Sequence, residues 1–315
     1  MKLCTFQSRN DSNGPARVGL VLAGEAEVLD LAAAEAATGA TASGHFASML
    51  ALIDGGEAAL AGCRALAEAP RASAVLPLDG LRLLAPIPEP RQIRDCLVFE
   101  EHLQNCLVTA EKMTGQKGAI PPVWYEQPIY YKANRFSVVG PGHDVVWPAY
   151  SSIMDYELEL ACVIGRTGVD IPAERSAEHI FGYTIFNDCS ARDAQLREMA
   201  GQLGPAKGKD FDTGNVFGPW IVTADEIGDP YALAMEVRVN GERRGGGNSR
   251  AMQHRFDAIL AHISASETIH AGEIVCSGTV GTGCGLEIGR FPEAGDVVTL
   301  EIEKIGILEN RFVRR

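Results

Sequence analysis

The chain reads as an α+β fold that is mainly β, with a small N-terminal α/β domain over residues 1–90 and a larger domain over 91–315. Three observations predict it. Short runs of β-branched and aromatic residues, several alternating apolar with polar, recur along the chain between Gly-, Pro- and Asn-rich breaks. Ala-, Leu- and Glu-rich helical composition is concentrated in one block, residues 29–69. Pro86-Ile87-Pro88-Glu89-Pro90 can continue neither a helix nor a central strand, so it marks the boundary. Many short strands with Gly-rich turns favour a curved, largely antiparallel sheet.

Taken in order, residues 2–6 and 18–22 read as strands joined by the turn Asn10-Asp11-Ser12-Asn13-Gly14-Pro15. Two or three helices follow between residues 29 and 69, broken at Gly39, Gly44 and Gly55-Gly56, with Cys63 as a core filler and His45 on the surface or at a cap. Residues 81–84 form a further strand. The larger domain opens with a strand over 93–99 and a helix starting at Glu100. Asp95 falls inside that apolar strand, where a carboxylate needs a partner. His102 falls in the first helical turn, where a lone His is more often structural than catalytic.

Strands are expected over 129–132, 137–140 and 181–186, the last leaving through Asn187-Asp188 towards Ser190 as a helix N-cap. Gly208-Lys209-Asp210-Phe211-Asp212-Thr213 reads as a loop that either offers a cation and a hydroxyl to an anionic ligand or is simply solvated. Asn240-Gly241 is a hairpin signature. Residues 256–263 have helical spacing, with His254 and His262 on its surface, and strands are expected over 272–279, 295–302 and 305–313.

One stretch carries more chemistry than the rest. In Asp155-Tyr156-Glu157-Leu158-Glu159-Leu160-Ala161-Cys162-Val163-Ile164-Gly165, strand alternation puts Glu157 and Glu159 on one face. The run continues into Ala-Cys-Val-Ile, which suggests burial on both faces. Buried like charges repel, and a cation held by oxygen ligands, Mg²⁺, Mn²⁺ or Ca²⁺ rather than zinc, removes the conflict. A solvated sheet edge is the alternative, and this stretch alone leaves both open.

Charge excludes some partners. The 315 residues carry a formal net charge of −13, which argues against nucleic-acid or anionic-membrane surfaces, since both need a basic footprint. The N-terminus lacks a signal-peptide pattern and no stretch has the length of a membrane span, so a cytoplasmic protein is expected. Eight scattered cysteines without a CxxC pair are expected to be reduced thiols.

Five segments in sequence resemble the fumarylacetoacetate hydrolase family: residues 155–160, 187–193, 208–211, Gly218-Pro219-Trp220-Ile221-Val222, and 272–279. The resemblance covers roughly residues 91–315 and implies that family's mixed β-sheet roll. It also implies a divalent metal, usually Mg²⁺ with Mn²⁺ or Ca²⁺ as alternatives, held by Glu157, Glu159 and Asp188, with Asp95 as the fourth acid. His102-Leu103-Gln104-Asn105 resembles the His-x-x-Asn of the hydrolases proper rather than the His-x-x-Glu of small acylpyruvases. Glu287 falls where their C-terminal Glu orients the His. Lys209, Thr213, Gln195, Tyr131 and Thr279 fall on further active-site positions.

Three positions depart from the hydrolases proper. Leu97 and Met199 stand where they have Tyr, and Glu111 where they have a substrate-binding Arg. The resemblance implies a hydrolase that cleaves a carbon–carbon bond in a small 1,3-diketo acid or acylpyruvate of aromatic catabolism, with His102 as general base on water, Glu287 fixing its tautomer and Lys209 stabilising the developing oxyanion or enolate. A metal-dependent isomerase, decarboxylase or hydratase of a 2-oxo-enoate is the alternative on the same scaffold, although retention of the His102–Glu287 pair favours hydrolysis. A catalytically idle metal-binding module is the reading from another class. A homodimer is expected by the same resemblance.

Overall fold

The computed structural model describes residues 1–11, 13–115 and 117–314, with the side chains of Met113 and Thr114 left aside; Ser12 of the expected N-terminal turn lies outside them. Strands β1 (Lys2–Ser8), β2 (Arg17–Val21) and β3 (Glu27–Asp30) form an antiparallel meander. Leu29, expected in a helix, is therefore in a strand. Helix α1 (Leu31–Ala36) starts where the Asp30 side chain caps the Ala33 amide, and α2 (Met49–Glu68) is kinked at Gly56, where φ is 53°. Strands β4 (Val75–Pro77) and β5 (Leu81–Leu83) complete residues 1–90.

Beyond the Pro cluster come β6 (Ile93–Cys96), α3 (Glu100–Thr114), α4 (Val123–Glu126), β7 (Tyr130–Ala133), β8 (Val138–Val139), β9 (Val145–Trp147) and β10 (Met154–Asp155). The acidic strand is β11 (Glu157–Ile164), buried along its whole length, followed by β12 (Ile180–Asp188). Ser190 does not cap a helix. It lies in β13 (Ser190–Ala191), its hydroxyl donates to the Asp188 carbonyl, and α5 (Arg192–Met199) begins at Ala191 without a side-chain cap. The expected loop over 208–213 is helical at its start, α6 (Ala206–Lys209).

The chain closes with β14 (Asn215–Thr223), α7 (Ala224–Ile227), β15 (Ala234–Val239), β16 (Glu242–Asn248), α8 (Phe256–Ser264), β17 (Ile274–Cys284), α9 (Gly285–Ile288), β18 (Val297–Ile302) and β19 (Gly306–Arg314). The Asn240-Gly241 turn between β15 and β16 has positive φ at both residues, as a type I′ hairpin requires.

A 12-stranded mixed sheet runs β4-β3-β2-β1-β14-β12-β11-β17-β6-β7, with β5 on β1 and β8 on β14; a 5-stranded sheet, β16-β15-β18-β19-β9, packs beside it. The main sheet crosses residue 90 unbroken, because β1 pairs with β14 through Lys2–Val222 and Leu3–Ile221. Two apolar clusters cover its faces. One takes Leu158, Leu160 and Cys162 of β11, and the other takes Ala161 and Val163 with the residues packed under α2. Strand parity sets Glu157 and Glu159 on the second of these faces, at the end of the strand. Among the described residues no helix is long and apolar enough to cross a membrane.

Candidate active site

Strands β12 and β11, and β6 beyond the intervening β17, bring their acids together. Asp95 is the penultimate residue of β6, which pairs in parallel with β17 (Asp95 opposite Cys276) and antiparallel with β7 (Asp95 opposite Tyr131). Glu159 faces Thr279 on β17 and Phe186 on β12, and Asp188 closes β12. One carboxylate oxygen from each of Glu157, Glu159 and Asp188 lies within 4.8 Å of the others, and Asp95 and Glu159 form a second such group with the Cys276 thiol. All four are buried.

Two buried cations face this cluster. Lys209 Nζ lies 2.5 Å from both Glu157 Oε2 and Asp188 Oδ2. Arg192 donates from Nη2 to Glu157 Oε1 at 2.7 Å and from Nε to Asp155 Oδ2 at 2.8 Å. Tyr131 donates its hydroxyl to Asp188 Oδ2 at 2.8 Å, and the Gly278 amide donates to Glu159 Oε2 at 2.9 Å. Thr279 reaches Glu159 Oε1 only at 3.5 Å, and Gln195 Oε1 accepts from Arg192.

The electrostatics are unbalanced. Asp95, Asp155, Glu157, Glu159 and Asp188 are all buried, and among the described residues the cations paired with them are Arg192 and Lys209, a formal excess of three carboxyl groups over paired cations. Burial opposes ionisation of Glu157, but Arg192 and Lys209 outweigh it and hold its carboxyl low. Burial, and then the neighbouring carboxylates, push Glu159 and Asp188 well above the usual carboxylate range, and Asp95 rises as well. Asp95 Oδ1 and Asp188 Oδ1 are buried with no hydrogen-bond partner. Orphaned carboxylate oxygens, an all-oxygen donor set and surplus negative charge fit a hard divalent cation, whose ligands lie at about 2.0–2.6 Å.

A second constellation lies beside the first. His102, in the first turn of α3, is buried, and its Nδ1 is 2.9 Å from Glu287 Oε1. Glu287 is fixed at its other oxygen by Asn105 Nδ2 at 3.0 Å and the Thr282 amide at 2.7 Å. Asp155 sets the frame behind it by accepting from the Gly285 and Leu286 amides, the start of α9. Burial disfavours an imidazolium at His102, but its contacts with Cys284 and Glu287 outweigh that and carry the ring up to about 10. Since burial also keeps the Cys284 thiol protonated, the imidazolium rests on Glu287. Lys209 likewise stays charged: burial favours the neutral amine, and Asp188 and Glu157 outweigh it.

Both constellations open on one cavity of about 640 Å³, whose wall includes Asp95, His102, Tyr131, Gln195, Lys209 and Thr279. Its outer wall is apolar, with Leu97, Leu103, Leu107, Leu196 and Met199. Thr213 is not brought into it. Its hydroxyl accepts from the Val146 amide at 2.8 Å, and it lines a separate cavity with Tyr150 and Lys207. Glu111 is exposed and is not part of the site's wall. Arg192 and Asp155 were given no role by sequence reasoning; their signal was an Arg inside the acid-bounded 187–193 segment and an acid two residues ahead of Glu157.

Comparison with known proteins follows the same outline. The family model described as "Fumarylacetoacetate (FAA) hydrolase C-terminal" matches residues 93–313. The chain is 32% identical over 314 residues to the mitochondrial oxaloacetate tautomerase fahd2 of Xenopus laevis, covering 99% of this chain and 90% of that protein. It is 35% identical over 240 residues to the oxaloacetate tautomerase YisK of Bacillus subtilis (strain 168), 75% of this chain and 74% of that one. Among solved structures it resembles the fumarylacetoacetate hydrolase of Exiguobacterium antarcticum (30% identity, TM-score 0.74, all of both chains). It also resembles a maleylpyruvate hydrolase of Sphingobium sp. SYK-6 in complex with manganese (II) ion and pyruvate (27% identity, TM-score 0.73, 100% of this chain and 99% of that one).

Proposed function

This chain belongs to the fumarylacetoacetate hydrolase family of metal-dependent enzymes, and from that premise we propose that it interconverts the enol and keto forms of a short 2-oxo dicarboxylate of the oxaloacetate class. The observation that carries this reading is the placement of His102, held by Glu287, and of Lys209 on the wall of one cavity with the carboxylate cluster. Asp95, Glu157, Glu159 and Asp188 would hold Mg²⁺ or Mn²⁺. A divalent cation there supplies Lewis-acid polarisation of a 2-oxo group and its adjoining carboxylate.

The chain's own groups then divide the proton work. In the enol-to-keto direction the His102 imidazolium, held by Glu287 through Nδ1, delivers a proton from Nε2 to the carbon beside the carbonyl. The enol oxygen releases its proton to solvent as that carbon gains one, and His102 regains a proton from solvent, so the net change is a shift of one proton between substrate atoms. Lys209 stabilises the enolate oxygen, and Tyr131 holds Asp188 in place. Three further features fit a small substrate: Leu97 and Met199 are apolar, Glu111 is exposed and off the wall, and Arg192, a guanidinium on the wall, is already paired with Asp155 and Glu157.

Hydrolysis of an acylpyruvate is the second reading, favoured by the complete His102–Glu287–Asn105 arrangement, which can also activate water once His102 is neutral. Ultraviolet decay of enol-oxaloacetate, with Mg²⁺, with Mn²⁺ and with EDTA, tests the proposal against a panel of fumarylpyruvate and fumarylacetoacetate with products read by mass spectrometry. Metal-dependent acceleration over the spontaneous rate is expected. No acceleration, together with cleavage of the acylpyruvates, would overturn it in favour of the hydrolase.

A further inference from the structure

We propose that Cys106, Cys284 and His102 form a second metal site, one for a soft, thiol-seeking divalent cation such as Zn²⁺, and that filling it silences the enzyme. Helix α3 places Cys106 one turn after His102, the i, i+4 spacing that puts both on one face. Cys106 Sγ lies 3.7 Å from His102 Nε2. Cys284, the last residue of β17, brings its Sγ to 4.0 Å from His102 Nδ1 and 3.5 Å from Glu287 Oε1. One donor atom from each of the three residues lies within 4.8 Å of the others. A tetrahedral zinc with sulfur at about 2.3 Å and nitrogen at about 2.0–2.1 Å separates its donors by only slightly less, roughly 3.5–3.8 Å.

Three further features favour the site. Both thiols lie near His102 Nδ1, Cys106 at 3.9 Å and Cys284 at 4.0 Å, so the three donors share that nitrogen, which the cation takes from Glu287. Two thiolates and a neutral imidazole balance a divalent charge, so the filled site adds no net charge to a buried wall. Binding releases the two thiol protons and one proton of the His102 imidazolium to solvent. The S₂N donor set also selects against Mg²⁺, so the hard and soft sites do not compete for one ion.

Access is from the cavity, whose wall includes His102 and the half-buried Cys106. The proposed reaction uses neither thiol. It does use the His102 imidazolium held by Glu287, which a soft cation on Nδ1 replaces.

The test is titration of the Mg²⁺-replete protein with Cd²⁺, followed by the ultraviolet thiolate-to-cadmium charge-transfer band and by turnover. One equivalent is expected to develop the band while activity falls in step. Cys106→Ser, on a half-buried helix face, should weaken the band's midpoint by more than about tenfold, the lower end of what losing even an outer-shell partner costs. Cys276→Ser, beside Asp95 and Glu159, should leave it in place. The band reports the site whether or not the tautomerase reading holds. Cd²⁺ binding without the band, a band that survives in the Cys106→Ser/Cys284→Ser double variant, or a band lost in Cys276→Ser would overturn the proposal.

Discussion

Glu287 works through both of its oxygens: one holds His102 Nδ1, and the other is pinned by Asn105 and the Thr282 amide. The pair has a definite pH signature. His102 rises from 6.5 to about 10, so its contribution to stability is complete below 6.5 and is lost as pH rises through about 10. Glu287 is depressed below 4.5, burial opposing the shift and His102 driving it, so its contribution is complete above 4.5 and lost at lower pH. Metal-free protein should therefore lose most from Glu287→Gln between pH 4.5 and 6.5, and the difference in Tm from wild type should shrink towards pH 10. Turnover in the variant should fall by about 10²-fold or more, with its alkaline limb moved to lower pH. A Tm difference flat from pH 5 to 10 would mean that no ion pair exists. That His102 would meet Glu287 and that the four acids would cluster was legible through the short segments that carry the family resemblance. Arg192 was not, because its value depends on Asp155 and Glu157, 37 and 35 residues away along the chain.

At the scale of elements, the site depends on how β17 meets β6 and β11. The register between β11 and β17 slips on either side of Glu159, and Gly278 stands at that irregularity with φ +81°. Its amide holds Glu159, and a Cβ added there would lie 2.5 Å from the Cys96 carbonyl. Only glycine meets both demands. Gly278→Ala should lower stability by about 1–3 kcal/mol and, by pushing β6 and Asp95 away, weaken Mg²⁺ binding by roughly tenfold or more. Gly295→Ala is the control: φ is +103° with open space around it, so calorimetry should show a loss of stability without a change in Mg²⁺ affinity. Equal metal affinity in both variants would remove Gly278 from the site's support. Sequence pattern located β11, β12 and the Asn240-Gly241 hairpin, where local chemistry decides the conformation. It misread Ser190 as a cap because pairing between β10 and β13, a tertiary contact, overrides the local capping preference.

At the scale of the whole molecule, no helix or strand runs through the Pro cluster, but an interruption of local structure need not be a break in the sheet. The seam between β1 and β14 was invisible in sequence because nothing local tells an edge strand which partner, more than 200 residues on, will cover it. Its energetic weight is apolar. Leu3, Leu20, Leu29 and Leu52 from residues 1–90 share one core cluster with Phe186, Phe217 and Ile221 of β12 and β14. Phe186 and Phe217 stack at 4.3 Å and are fully buried. A 91–315 fragment would expose that face together with the free edge of β14, a template for intermolecular pairing. It should therefore aggregate or lose its cooperative thermal transition, and added Mg²⁺ should not restore one, because the carboxylate strands β11 and β12 lie directly against the uncovered surface. Light scattering and calorimetry of the fragment decide the matter. A monodisperse fragment with a sharp transition and metal-dependent turnover would show that residues 1–90 decorate the catalytic sheet rather than complete its core.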